Sequence, residues 1–111
     1  MGLISLDDNN WELLTNSTNC ILVIGKPNCP NCENWIHSLS EEIKNGFAKE
    51  YTFTKFNTSD PGLVKFKMKN TWINQIDIFP HTVILSNGKR MSFMSGGGVE
   101  RLQKIILDTF N

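Results

Sequence analysis

The chain has no excess charge of either sign: eleven Lys and Arg balance eleven Asp and Glu over 111 residues. A neutral balance gives no long-range field to gather nucleic acid or an anionic membrane, so neither is expected as a partner. It has no apolar run near the roughly 20 residues of a membrane span. Its start, Met1-Gly2-Leu3-Ile4-Ser5-Leu6-Asp7-Asp8, lacks the basic region and long apolar core of a secretory signal. With Leu6 following Ser5, this start is not a full myristoylation signal either. A soluble, cytoplasmic, monomeric protein is the expectation. Cysteine is scarce: three residues, an odd number, are too few to staple a disulfide scaffold, so the core must come from packing. One domain covering residues 1–111 suffices, able to bury roughly two-thirds of its unfolded surface.

What is present alternates between strand and helix signals. Leu3 to Leu6 reads as a short edge strand, and Asp7, Asp8 and Asn9 offer caps for a helix carrying Trp11, Leu13 and Leu14. After a loop at residues 16–19, Cys20 to Ile24 is continuously apolar and largely β-branched, as in a central strand covered on both faces. A turn, Gly25-Lys26-Pro27-Asn28, leads to a helix from Pro30 to about Asn45, with Gly46 placed as its left-handed terminator. Tyr51 to Phe56 is a second strong strand. Asp60 as cap and Pro61 at the first helical position predict a helix to Asn70 with Leu63, Val64, Phe66 and Met68 as apolar contacts. Residues 71–79 read as irregular and partly helical. The runs 81–85 and 90–94, joined through Asn87-Gly88, form a hairpin. Gly96 to Gly98 are loop, and Val99 to Phe110 is an amphipathic helix with Val99, Leu102, Ile105, Ile106 and Phe110 on its apolar face. Such an order implies an α/β fold with a central mixed sheet of four to five strands and helices on both faces.

Chemistry concentrates at Cys29-Pro30-Asn31-Cys32, where the apolar strand runs into the start of a helix. A C-x-x-C at such a junction reads as a redox dithiol. With Cys29 as the N-cap, Pro30 falls where a missing N–H costs nothing, and the Cys29 sulfur can accept free backbone N–H groups from Asn31 or Cys32. Those donors and the positive helix end favour thiolate, which makes Cys29 a nucleophile at neutral pH and leaves Cys32 to resolve a mixed disulfide. A zinc site would need four ligands. The remaining candidates, Cys20, His37 and His81, do not repeat the spacing, so neither a metal nor another cofactor is expected. Two cysteines that merely fill space are the blander alternative, although packing alone does not select a proline-bearing turn at a helix start. Cys20 itself reads as a buried, inert thiol. His37, five residues after Cys32, reads as solvated and turned away from it. Trp35 and Trp72 read as core or interface.

Four motifs in order, ILVIGKPNCPNC, FTKFNTSDPG, IFPHTVILSNGK and SGGGVERLQKIILDTF, together resemble thioredoxin and its relatives over nearly the whole chain. The resemblance implies the thioredoxin fold, a cis peptide before Pro80 facing the dithiol, and a substrate shelf made by Phe79, Pro80 and the Gly96 to Gly98 turn, with Gly97 at its centre. It further implies a protein-disulfide reductase with Cys29 attacking and Cys32 resolving, using protein disulfides as substrates and an upstream thiol reductase as electron donor. The Lys26-Pro27-Asn28-Cys29-Pro30-Asn31-Cys32 frame looks like glutaredoxin, so a glutathione-dependent oxidoreductase is one alternative. A non-catalytic binding module on the same fold is another. Thioredoxins usually have tryptophan where Asn28 stands and a buried acid where Val23 stands, while the lysine near that acid is matched by Lys55. A lysine without its acid would favour thiolate and tune the dithiol. His81 follows Pro80 and is expected either to face the dithiol as a proton donor or to point outward as the first residue of its strand.

Overall fold

A computed structural model describes residues 2–110. The side chain of Phe110, expected on the apolar face of the last helix, lies outside the described residues. Five strands form one mixed sheet in the order β1-β3-β2-β4-β5: β1 (Ile4–Ser5), β2 (Cys20–Gly25), β3 (Thr52–Asn57), β4 (His81–Ser86) and β5 (Lys89–Ser95). β1, β3 and β2 run parallel, β4 is antiparallel to β2, and β5 antiparallel to β4. The helices are α1 (Trp11–Thr15), α2 (Pro30–Lys44), α3 (Val64–Lys69) and α4 (Val99–Phe110), with a 3-10 helix at Thr71–Gln75 filling the segment expected to be irregular.

All six residues of β2 are buried, because its alternate side chains enter two separate cores. Cys20, Leu22 and Ile24 pack with Phe56, Phe66 and Val83 beneath α1, α3 and the 3-10 helix. Ile21 and Val23 pack with Trp35, Leu39 and Leu102 beneath α2 and α4. Helices therefore cover both faces of a mixed sheet. The hairpin turns where Asn87 and Gly88 take φ of 53° and 81°, the geometry that Asn-Gly supplies at least strain. β5 is an edge, and a register irregularity opposite Ile84 and Leu85, together with Lys89 and Arg90, blunts it against pairing with other chains.

The segment before α3 differs from expectation. Asp60 does not cap the helix, and Pro61 does not begin it. The Asp60 carboxylate instead accepts the Asn57 N–H at 2.9 Å, closing the turn after β3. Gly62 (φ 85°) and Leu63 (φ 56°) then both take left-handed backbone, so helical geometry starts only at Val64. The Leu63 N–H is received by Asp8, at 2.7 Å, from the turn preceding α1. Of the apolar residues assigned to α3, Leu63 and Phe66 are buried, whereas Val64 and Met68 are 60% and 73% exposed.

Candidate functional site

The end of β2 is built to meet the start of α2 closely. At Gly25 a Cβ would lie 2.7 Å from Asn57 Oδ1 and in ordinary contact, at 3.6 Å, with the Cys32 sulfur, so a side chain there would have to displace the Asn57 amide. Lys26 and Pro27 carry the chain round, and Asn28 turns it with φ 55°, a conformation asparagine tolerates better than most residues. Cys29 then takes extended backbone as the N-cap of α2, with Pro30 at the first helical position. Its sulfur accepts the Cys32 N–H at 3.2 Å, one of the donors a helix start leaves free. The two cysteines form a disulfide with Cα atoms 5.3 Å apart. They are almost equally covered, at 7% and 6% exposed, so exposure does not separate their roles. Position does: Cys29 sits at the helix mouth, while Cys32 is one turn in, against Gly25.

Hollows flank this turn on two sides. One is a groove of about 530 Å³ lined by Ile78, Phe79, Pro80 and the Gly96 to Gly98 turn, facing Asn31, Asn34 and Trp35 of α2. The Phe79–Pro80 peptide is cis, and the Pro80 carbonyl receives the Gly96 N–H at 2.7 Å, which ties the proline to the glycine turn. A Cβ on Gly97 would come within 2.8 Å of the Trp35 ring, so the absence of a side chain lets the turn lie on the indole. The structure thus brings Phe79, Pro80 and Gly97 together beside the first turn of α2. On the other side, a cavity of about 690 Å³ contains both cysteines, with Val23, Lys55, Asn57 and Asp60 among its walls.

Lys55 pairs in register with Val23, and both belong to that cavity, which places the lysine on the dithiol's side of the sheet. His37, read from the sequence as turned away, is exposed but stands on the same cavity wall. His81 lines neither hollow. It pairs with Ile24, and its ring lies between Trp72 (6.4 Å) and Phe93 (5.3 Å) on the sheet face away from α2. Only 6% exposed, it does not point outward either, because Trp72 and Phe93 cover it. Its Nε2 has no hydrogen-bond partner. Burial, and secondarily the nearby Arg90 guanidinium, hold its pKa below the ordinary 6.5. The folded state therefore keeps His81 neutral while the unfolded chain takes up a proton, so its stabilising contribution is full above about 6.5 and declines as pH falls below it. Replacing His81 with Phe, which keeps a ring between the same neighbours, should flatten the fall in stability between roughly pH 7 and pH 5. Urea unfolding across that range checks this, and an unchanged slope would contradict it.

Cys20 is fully buried, its sulfur 3.6 Å from the Thr54 hydroxyl, and burial pushes its pKa up to about 11. It stays protonated at neutral pH and is the one cysteine outside the Cys29–Cys32 pair. Among the described residues no group of three or more His, Cys, Asp or Glu side chains could hold a metal ion. Sequence reasoning missed Gly25, Asn57 and Asp60 as parts of the site. Asn57 follows the second strand directly, but nothing local indicates that it meets Gly25.

A mixed sheet in this order, with a disulfide-bonded C-x-x-C pair at the start of the helix after its central strand and a cis-proline beside it, defines a thioredoxin-fold protein. Comparison with solved structures gives the same fold. Thioredoxin f2 of Chlamydomonas reinhardtii superposes with a TM-score of 0.74 at 19% identity, covering 98% of this chain and 97% of its own. Spinach chloroplast thioredoxin f (short form) gives 0.74 at 12% identity over 99% and 95% of the two chains. Oxidised thioredoxin O1 of Arabidopsis thaliana gives 0.72 at 13% identity over the full length of both. No family model and no curated protein sequence matches the chain.

Proposed function

We propose that this protein is a thiol-disulfide oxidoreductase that reduces protein disulfides through Cys29 and Cys32. The observation that carries the reading is the Cys29 sulfur, capping α2 and accepting the Cys32 N–H, on a ridge beside the Pro80 groove. In the reduced protein the same donor and helix end favour the Cys29 thiolate. That thiolate attacks one sulfur of a substrate disulfide, forming a mixed disulfide and releasing the other substrate sulfur as a thiolate, which takes a proton from water. Cys32, deprotonated, attacks the Cys29 sulfur and expels the second substrate thiolate. Two electrons pass to the substrate, and the protein is left with the Cys29–Cys32 disulfide seen here.

Resetting the cycle needs an upstream thiol reductase. A solved thioredoxin f2 in complex with ferredoxin:thioredoxin reductase supports such a partner by likeness of fold, at 15% identity. One chain supplies both cysteines, the proline and the glycine turn, which supports action as a monomer. A reducing compartment such as the cytoplasm is where a dithiol of this kind would be kept charged. Lys55, on the cavity wall beside both sulfurs, is the residue that would take part in tuning the dithiol where Val23 has replaced an acid. The protein charged with dithiothreitol should reduce insulin faster than dithiothreitol alone. A rate equal to that background would leave only a binding module, and turnover supported by glutathione would move the assignment to the glutaredoxin type.

A further inference from the structure

The chain divides its charge evenly, but the fold does not spread it evenly. α3 carries Lys65, Lys67 and Lys69 within six residues and no acid. At about 100° per residue, Val64 and Met68 stand one turn apart on one side of this helix, opposite the buried Phe66. They are 60% and 73% exposed, an adjacent pair rather than scattered apolar residues. Lysines flank this ridge on both sides. Among the described residues the one side-chain ion pair joins Lys44 to Glu41 on α2, so none of the α3 lysines is in a close ion pair, and the nearest carboxylates named, Asp8 and Asp60, are engaged with backbone N–H groups at the entry to the helix.

This surface borders the reactive site. Lys67 Nζ donates to the Asp60 carbonyl at 3.1 Å, and Asp60 is a wall of the cavity that holds both cysteines. Within that cavity Lys26 and Lys55 are offset by Glu33 and Asp60, whereas α3 itself carries three lysines and no acid. An apolar ridge edged by unpaired cations is complementary to a surface whose carboxylates surround an apolar centre. Charges at such a rim act chiefly on encounter and on choice of partner.

We propose that α3 is the docking surface for acidic protein partners of the dithiol. A partner seats its apolar patch on Val64 and Met68, pairs its carboxylates with Lys65 and Lys69, and so presents its disulfide at Cys29. The inference rests on the dithiol reading above and names the class of protein substrate it serves.

The test compares the wild type with Lys65→Glu/Lys69→Glu on three substrates at low ionic strength. Lys67 is kept because it holds the Asp60 carbonyl. On insulin, an acidic disulfide protein, the variant should lose about tenfold in kcat/KM, carried by KM. On insulin with its carboxylates amidated, the order of the two proteins should reverse. On hydroxyethyl disulfide, uncharged and too small to reach α3, they should be equal. The insulin difference should close in about 1 M salt, where charges are screened within a few ångströms. Val64→Ser/Met68→Ser should raise KM for insulin without that salt dependence. Equal kinetics on insulin at low salt would overturn the proposal, as would a matching loss on hydroxyethyl disulfide. So would retention on phosphatidylserine vesicles through the same lysines with insulin kinetics unchanged. Failure of the wild type to reduce insulin above the dithiothreitol background would overturn the dithiol reading instead.

Discussion

Cys29→Ser should bring the reduction of a protein disulfide down to the dithiothreitol background, while Cys32→Ser should stall with its substrate attached. Both follow from where the two sulfurs sit. Cys29 is at the mouth of α2, and its sulfur is the acceptor of the Cys32 N–H. A serine hydroxyl there stays protonated at neutral pH and has no thiolate to offer, so the first exchange does not begin. In Cys32→Ser the first exchange proceeds, because the Cys29 thiolate and its N–H donor remain. The second has no attacking sulfur, since the third cysteine, Cys20, is fully buried and its pKa is held at about 11. A covalent adduct should therefore accumulate, seen as a mass increase of one substrate chain on a non-reducing gel and lost on adding dithiothreitol. The opposite pattern, an adduct on Cys29→Ser and none on Cys32→Ser, would reverse the assignment of the two roles.

The parts of this site that were legible in the sequence are those set by near neighbours in the chain. The continuous apolar run of β2, the proline after Cys29 and the spacing to Cys32 are local, and local physics fixes a buried strand feeding an N-capped helix. The Asn87-Gly88 hairpin was legible for the same reason. What escaped depends on residues distant in sequence. The start of α3 is set partly by Asp8, which receives the Leu63 N–H from 55 positions away. Without that acceptor in view, Asp60-Pro61 looks like a helix start. From the sequence His81 faces either the dithiol or solvent, because neither Trp72 from the 3-10 helix nor Phe93 from β5 is visible as its neighbour until the sheet is assembled. His37 stands on the cavity wall because the cavity is bounded by β3 as well as α2, which helical spacing alone does not reveal. The close approach of Gly25 to Asn57 and Cys32 likewise appears only when both are in place.

Trp35→Ala should cost about 3–5 kcal/mol of stability, the usual range for emptying a buried aromatic site. The indole is 4% exposed and belongs to the core between the sheet and α2 and α4. Its Nε1–H donates to the Thr82 hydroxyl at 3.0 Å, and the Gly97 backbone lies on its ring. One side chain thus joins the helix bearing the dithiol, the strand after Pro80 and the glycine turn. Against a total stability of about 5–15 kcal/mol for a domain, such a loss leaves the variant close to unfolding at ordinary temperature. Trp35→Phe separates packing from hydrogen bonding, because most of the ring stays while the Thr82 hydroxyl loses its donor, at about 1–3 kcal/mol for an orphaned buried group. Denaturant unfolding should rank the wild type above Trp35→Phe and Trp35→Phe above Trp35→Ala. The phenylalanine variant also tests the groove: with the floor beneath Gly97 altered but both sulfurs intact, KM for insulin should rise while turnover of hydroxyethyl disulfide stays near the wild-type rate. An equal loss on both substrates would place the effect of Trp35 in the α2 start itself rather than in the groove, and a stability change under about 1 kcal/mol for Trp35→Ala would remove the indole from the core altogether.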